Sequence, residues 1–190
     1  HPPRRRHRGA ARQWRQWRGP RPELRAGQLH IVSQPGFWPV FYQARPWLVG
    51  PADIEVRVRC QGSSFEMGIA EAHGSPWQEL GGRLNCARVH DGLFVYLNRS
   101  DSPHVAGMDR LAGDMLLLQT QGPVPRRRLD EFSLIRLEVR EHYVALTVDG
   151  ATVARENIDW SAKARRIYIG SGYGHTVVDY IAILPCNGAK

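Results

Sequence analysis

The chain has few cysteines and no long apolar run. Its 190 residues include three cysteines, Cys60, Cys86 and Cys186, and this odd number without Cys-x-x-Cys spacing gives no zinc or dithiol motif. We therefore predict structural free thiols, with one disulfide in an oxidising compartment as the alternative. No uninterrupted apolar stretch reaches the length of about 18 residues that indicates a transmembrane helix. The sequence thus predicts no membrane-spanning helix.

Signature motifs of common enzyme classes are also missing. The sequence contains no Gly-x-Ser-x-Gly elbow, no phosphate-binding Gly-rich loop and no His-Glu-x-x-His. A glycosidase needs two carboxyl groups that flank the scissile bond. Glu66 and Glu71 are five positions apart, which directs them to opposite faces of a strand, and Glu138 and Glu141 straddle a turn. The sequence therefore favours a protein without catalytic activity.

Acidic residues are nearly absent from the first 27 residues, which hold nine arginines and one acid, Glu23. The rest of the chain has 17 basic and 17 acidic residues, so the formal net charge of +8 belongs to this first segment. The segment has no apolar stripe wide enough to dock on a core. We predict an Arg-rich disordered tail or linker over residues 1–27 and one folded domain over residues 28–190.

The tail contains a short basic and aromatic repeat, in which tryptophans could lie at the headgroup level of an anionic membrane while arginines pair with phosphates. Contact with nucleic acid through the same arginines is a further alternative to a plain linker. The residues concerned are Arg12, Trp14, Arg15, Trp17 and Arg18. Because residues 28–190 carry balanced charge, nucleic-acid binding by the folded domain is not expected.

What the chain does have is a series of alternating, β-branched segments separated by turn residues. Ile135, Leu137 and Val139 alternate with charged residues, as on a half-buried strand. The next strand ends in Asp149-Gly150, a strong hairpin signal. Strands are predicted at residues 28–32, 37–42, 53–59, 65–71, 132–140, 143–150, 152–154, 165–172 and 176–184, the first two as sheet edges. A hairpin at Asp91-Gly92 is predicted to join residues 84–90 to 92–98. This pattern predicts an all-β, antiparallel two-sheet jelly-roll sandwich.

A family resemblance rests on the last strands, IRLEVREHYVALTVDGATVA, RIYIGSG and DYIAIL, with Gly150, Gly170 and Gly172 at turns and strand ends. These segments resemble the closing strands of concanavalin A-like lectin/glucanase domains, of the LamG and glycoside-hydrolase-associated types. DIEVRVR and FEMGIAE resemble the opening strands of the same domains. The resemblance covers residues 28–184. It implies a glycan ligand and an extracytoplasmic or cell-surface location, with the cytoplasm as the alternative.

Ligand contacts of such a domain are expected from aromatic and planar hydrogen-bonding side chains on one face or in rim loops. The predicted ligand-binding residues are Trp77, Arg88, His90, Tyr96, Asn98, Asp101, His104 and Tyr173. A loop is predicted at residues 98–113, where Asn98, Asp101 and Asp109 offer hard oxygen donors suited to Ca²⁺. No cofactor is expected, and Ca²⁺ bound in this loop is the alternative.

Three functions stay open at this point. The first is a non-catalytic carbohydrate-binding or ligand-sensing module of a larger protein. The second is a glycoside hydrolase with an atypical carboxylate pair, drawn from Glu66, Glu71 or Asp109. The third is a purely structural adhesion or oligomerisation sandwich, because fold alone does not specify function. The absence of a catalytic motif favours the binding module.

Overall fold

The fold was analysed in a computed structural model, which describes residues 14–18, 22–33, 40–43, 50–71, 92–99, 102–112, 115–124, 131–158, 165–172 and 174–186. These ranges contain strands, turns and bends and no helix. Consequently no helix capable of crossing a membrane is found in this part of the chain.

Fourteen strands make up the described structure. They are β1 (Trp14–Arg18), β2 (Glu23–Arg25), β3 (Gln28–Val32), β4 (Val40–Gln43), β5 (Ala52–Gln61), β6 (Ser64–Glu71), β7 (Gly92–Arg99), β8 (Ser102–Ala112), β9 (Met115–Pro123), β10 (Ser133–Val139), β11 (Tyr143–Val148), β12 (Ala151–Asn157), β13 (Arg165–Gly172) and β14 (His175–Pro185).

The strands form two seven-stranded sheets in which every neighbouring pair is antiparallel. Sheet A has the order β1-β4-β13-β6-β7-β8-β9, and sheet B has the order β12-β11-β10-β5-β14-β3-β2. Alternate residues of both sheets meet in one apolar core. For example, Met67 and Val95 of sheet A and Val56 and Leu137 of sheet B are fully buried in it. The predicted all-β sandwich is confirmed.

The hairpins of the C-terminal third follow the predicted pattern. β10 and β11 are joined at Glu141 and His142, with Val139 opposite Val144. The β11–β12 turn places Asp149 at a φ of 54° and Gly150 at 85°, as a tight hairpin with two left-handed residues requires. The Asp149 carboxylate also accepts a 2.8 Å hydrogen bond from the backbone N–H of Leu134, which fastens this turn to β10.

The region after β6 differs in part from the prediction. β7 pairs with β6 on one side and with β8 on the other, whereas residues 84–90, its partner in the predicted hairpin, lie outside the described residues. The loop predicted at residues 98–113 is wrong, because Ser102–Ala112 forms the long strand β8. This segment contains Gly, Pro and Asp, residues that are common in loops, and for that reason its sequence predicted a loop.

The predicted disordered tail contains two strands. Trp14–Arg18 pairs with β4 at the edge of sheet A, and Glu23–Arg25 pairs with β3 at the edge of sheet B. The predicted boundary after Gly27 falls inside the β2–β3 hairpin, whose turn residues Ala26 and Gly27 have φ values of 49° and 81°. Backbone hydrogen bonding to an open sheet edge orders these residues although their side chains are mostly polar. β3 and β4 are therefore not edge strands, contrary to prediction.

Candidate functional site

The outer face of sheet A, turned away from sheet B, is the candidate site. Along β6, β7, β8 and β13, core residues alternate with residues of the opposite face. Phe94, Tyr96 and Tyr168 on that face are buried but do not belong to the apolar core between the sheets. The outer face therefore has an arrangement of buried side chains of its own.

Two adjacent rows of directly opposed residues define this face. One row runs Gly170, Glu66, Tyr96, Gly107 and Gln121 across β13, β6, β7, β8 and β9. The neighbouring row runs Tyr168, Gly68, Phe94 and Asp109 across β13, β6, β7 and β8. Directly opposed residues share a face and contact one another. Aromatic, acidic and glycine positions are thus interleaved on one surface.

Tyr96 lies along the sheet and does not project from it. Its hydroxyl donates a 3.0 Å hydrogen bond to Gln121 Oε1, two strands away, and its ring is 5.9 Å from that of Phe94. The ring crosses Gly107, where a Cβ atom would overlap the Tyr96 hydroxyl and lie 2.8 Å from the Thr120 carbonyl oxygen. Only glycine at position 107 lets Tyr96 reach Gln121.

The charged groups of this face are buried. The exposed fractions are 6% for Glu66, 1% for Asp109 and 6% for Arg166, and each of these side chains takes part in polar interactions. Burial of ionisable groups requires such interactions because an uncompensated charge is costly away from water. Buried in this way, the charged groups support exposed side chains around them, which could hydrogen-bond the hydroxyl groups of a sugar.

A cluster of hydroxyl groups connects the two sheets at one end of the sandwich. Ser171 of sheet A and Thr176 of sheet B are joined by a 2.7 Å hydrogen bond, and Thr176 makes another of 2.7 Å with Ser63. Ser33 Oγ donates to the Ser171 carbonyl at 2.9 Å. Burial raises the pKa of the adjacent Cys60 thiol to about 12, so this cysteine is an inert structural group. Cys60 and Cys186 are free thiols, as predicted, and Cys86 lies outside the described residues.

Of the predicted ligand-binding residues, Tyr96 is on the outer face of sheet A and fully buried. Asn98 and His104 lie on β7 and β8, on backbone whose side chains are not described. Five other predicted residues and one predicted tail residue lie outside the described residues: Trp77, Arg88, His90, Asp101, Tyr173 and Arg12. Trp14, Arg15, Trp17 and Arg18 form β1.

The predicted calcium set is only partly described, because Asp101 lies outside the described residues and the Asn98 side chain is not described. Asp109 is opposite Phe94 in the middle of β8, while Asn98 lies four positions further along β7, roughly 13 Å away at the usual rise per residue. Short side chains that far apart cannot share an ion with ligand distances near 2.4 Å. Across the described ranges, no three His, Cys, Asp or Glu side chains gather as a metal site.

Sequence analysis missed Arg166, Tyr168 and Gln121 as members of the outer face. For Arg166 and Tyr168 the signal is the alternation within RRIYIGSG, where Ile167 and Ile169 enter the core and Arg166 and Tyr168 take the other face. That alternation places Arg166 and Tyr168 on one face. It does not reveal which strands become their neighbours.

Comparisons with known proteins found similarity at the level of the fold. A scan against protein-family models gave no match, and a search of curated proteins gave none of significance. The carbohydrate recognition domain of Emp46p, in a potassium-bound crystal structure, is similar with a TM-score of 0.70 and 12% identity, covering 92% of this chain and 89% of that chain.

Two further crystal structures show the same similarity. The exoplasmic/lumenal domain of VIP36, bound to Ca²⁺ and Man2, has a TM-score of 0.70 at 8% identity and covers 94% of this chain and 83% of that chain. A Bacillus subtilis protein with a galectin-like fold has a TM-score of 0.65 at 13% identity, covering 93% of this chain and 91% of that one. At the level of the fold, the predicted resemblance to concanavalin A-like lectin/glucanase domains is confirmed, since the chain has a sandwich similar to the carbohydrate recognition domains of Emp46p and Emp47p.

Proposed function

We propose that this chain is a non-catalytic glycan-binding module whose ligand approaches the outer face of sheet A. The carrying observation is the exposed amide of Gln121, which the buried Tyr96 holds in place across Gly107 on that face. The similarity to carbohydrate recognition domains supports the same proposal. A protein in which a sugar is present, VIP36, is among the similar structures.

Sugars are bound by planar hydrogen-bonding groups and by aromatic rings that cover their apolar faces. Gln121 is an exposed amide at the β9 end of its row, already oriented by the Tyr96 hydroxyl. An amide held in one orientation presents its N–H donors to a ligand with little loss of side-chain freedom. Gln121 is therefore proposed as a direct contact.

The residues predicted from the sequence remain part of the proposal. Asn98 and His104 belong to β7 and β8, two strands of the same sheet. We propose that these two residues, with Trp77, Arg88, His90, Asp101 and Tyr173, extend the contact surface around the two rows. If Ca²⁺ binds, we propose that Asn98 and Asp101 are its ligands and that Asp109 is not.

A glycan array probed with the full chain, with and without Ca²⁺, tests this function. Binding to a defined set of glycans should weaken about fivefold or more in Gln121→Ala, because one oriented hydrogen bond is worth about 1 kcal/mol. Gln61→Ala is the matched control, since Gln61 belongs to β5 of sheet B. No binding to any glycan, or equal loss in both variants, would contradict the proposal.

Glycoside hydrolysis is a second candidate because the outer face holds two buried acids, Glu66 and Asp109. They are two strands and one row apart, which puts their Cα atoms roughly 12 Å from each other by standard sheet spacings. Inverting glycosidases need carboxyl groups about 6.5–9.5 Å apart, which two side chains could span from that separation. Release of reducing sugar by the wild-type chain, abolished in both Glu66→Gln and Asp109→Asn, would establish this alternative.

A further inference from the structure

Two histidines form a close pair on the outer face of sheet B, on the opposite side of the molecule from the proposed glycan site. His30 Nδ1 and His175 Nε2 are 3.0 Å apart, on neighbouring strands β3 and β14. The two rings are 5.2 Å apart between centroids. One nitrogen donates and the other accepts, so this hydrogen bond requires at least one unprotonated nitrogen between the rings.

The charges around the pair are predominantly positive. Glu23 on β2 is directly opposite His30, and Arg25 lies on the same strand. Arg59 on β5 is opposite Val177, which in turn is opposite His30. Glu23, the one acid of this group, already forms an ion pair with Arg25. The Arg59 guanidinium also lies 4.9 Å from the centre of the Phe132 ring.

Asp179, the other acid on this part of sheet B, already has two hydrogen-bond donors. Asp179 accepts hydrogen bonds from Arg57 at 2.7 Å and from Gln28 at 3.0 Å. Gln61, directly opposite His175, is neutral. Protonation of both histidines would therefore add charge beside Arg25 and Arg59, opposed among the described residues by Glu23.

The pKa values agree with this arrangement. Burial, followed by the charges of Arg25 and Arg59, lowers the pKa of His30 below 6.5, against a weaker opposing effect of Glu23. Burial, then His30, Arg59 and Arg25, lowers the pKa of His175 in the same direction. Because the unfolded chain binds protons more readily than the folded one, the pair costs stability as the pH falls below 6.5.

We propose that His30 and His175, with Arg25 and Arg59, form a proton-linked binding site for a tetrahedral oxyanion such as sulfate or a phosphate group. When both rings are protonated, two N–H donors point at each other across 3.0 Å without an acceptor between them. An oxyanion oxygen accepts from both donors and compensates the added charge. Val177, fully buried between Arg59 and His30, forms an apolar floor for the site.

Linkage sets the expected pH dependence. An anion that binds the protonated pair raises the pKa of both histidines, and protonation strengthens anion binding by the same factor. Because binding requires both rings to be protonated, affinity rises by up to about a hundredfold for each pH unit of acidification while both are neutral, by about tenfold once one is protonated, and levels off below both pKa values. Sulfate is the suitable probe because its charge does not change between pH 5 and 8.

The test is NMR titration of the histidine C2–H signals of the full chain in sulfate and in chloride at matched ionic strength. Sulfate should raise the pKa of both His30 and His175, and its affinity should increase toward low pH. His175→Gln should abolish this dependence, with His30→Gln as the second variant should the first fail to fold. Glu23→Gln, which removes a competing acceptor, should increase sulfate affinity.

His142→Gln is the matched control because its side chain is 84% exposed and lies beside Glu141 at the β10–β11 turn. It should leave sulfate binding unchanged. Glucose 6-phosphate distinguishes the two sources of the oxyanion: binding comparable to sulfate supports an ester group on a larger ligand, and sulfate binding alone supports a free ion. Identical histidine pKa values in sulfate and chloride, or sulfate binding retained in His175→Gln, would overturn the proposal. Neither result affects the glycan site on sheet A.

Discussion

Replacing Gly107 with alanine should destabilise the protein through a specific clash on sheet A. The new Cβ would overlap the Tyr96 hydroxyl and lie 2.8 Å from the Thr120 carbonyl oxygen, which belongs to the neighbouring strand and cannot swing away. Overpacking of this kind costs up to about 3 kcal/mol. The ring must also leave Gln121, and a lost hydrogen bond contributes about 1 kcal/mol to that cost.

A double-mutant cycle with Tyr96→Phe tests this reasoning. Tyr96→Phe alone should cost about 1 kcal/mol, because it removes the hydrogen bond to Gln121. Both single variants lose the hydrogen bond to Gln121, but the double variant loses it only once. The loss in free energy of unfolding for the double variant should therefore be about 1 kcal/mol less than the sum of the two single losses. The free energy of unfolding is measured by urea denaturation, with the m-value held constant between variants.

Gly150→Ala supplies the control for the cycle. Gly150 has a φ of 85° and open space where a Cβ would be, so alanine there should cost roughly 1–2 kcal/mol of backbone strain and should not couple to Tyr96→Phe. Additivity of Gly107→Ala and Tyr96→Phe within about 0.5 kcal/mol would refute the proposed contact. So would a loss below about 1 kcal/mol for Gly107→Ala.

Three further predictions concern sheet B and the thiols. Although burial by itself raises the pKa of Asp53, hydrogen bonds and charges from Arg140 and Arg136 outweigh it and lower that pKa. Asp53→Asn should therefore lose less stability than the wild type when the pH is lowered below about 4, and equal losses in urea denaturation at low pH would contradict this. Native iodoacetamide labelling near pH 8 should spare Cys60, whose pKa is about 12, and a Cys60 adduct before any on Cys186 by mass spectrometry would contradict this. Asp179→Ala, which breaks a bridge between strands β3 and β5, should lower the free energy of unfolding by about 1 kcal/mol, and an unchanged urea midpoint would argue against that bridge.

The C-terminal half of the fold could be predicted because its information is local. In β10, buried apolar residues alternate with charged ones from Ile135 to Val139, and Asp149-Gly150 specifies the turn that follows β11. β8 could not be predicted in this way. Gly107 weakens the sequence pattern of a strand. A glycine is needed there because the Tyr96 side chain of the neighbouring strand β7 crosses this position. Such a requirement is visible only once the two strands are paired.

The N-terminal segment contains two strands where its sequence predicted disorder. Its composition predicts disorder, since arginines and prolines cannot provide a core. β1 and β2 need no core of their own, because each adds to the edge of a sheet that the rest of the chain has already built. Sheet addition depends on backbone groups more than on side chains. Composition alone could not reveal it.

The alternation of side chains between the two faces of a strand decides which acids share a face at the candidate site. It separates Glu66 from Glu71, since odd and even positions of β6 face opposite sides, and this was the argument against hydrolysis. In the structure, however, Asp109 reaches the face of Glu66 from β8, through Tyr96 and Phe94 of the strand between them. A functional pair on a sheet is set by strand order as well as by spacing along one strand. Binding and hydrolysis are therefore distinguished by Glu66→Gln and Asp109→Asn: a glycan-binding module should keep its ligand when either acid loses its charge without changing shape, whereas a hydrolase should lose turnover in both.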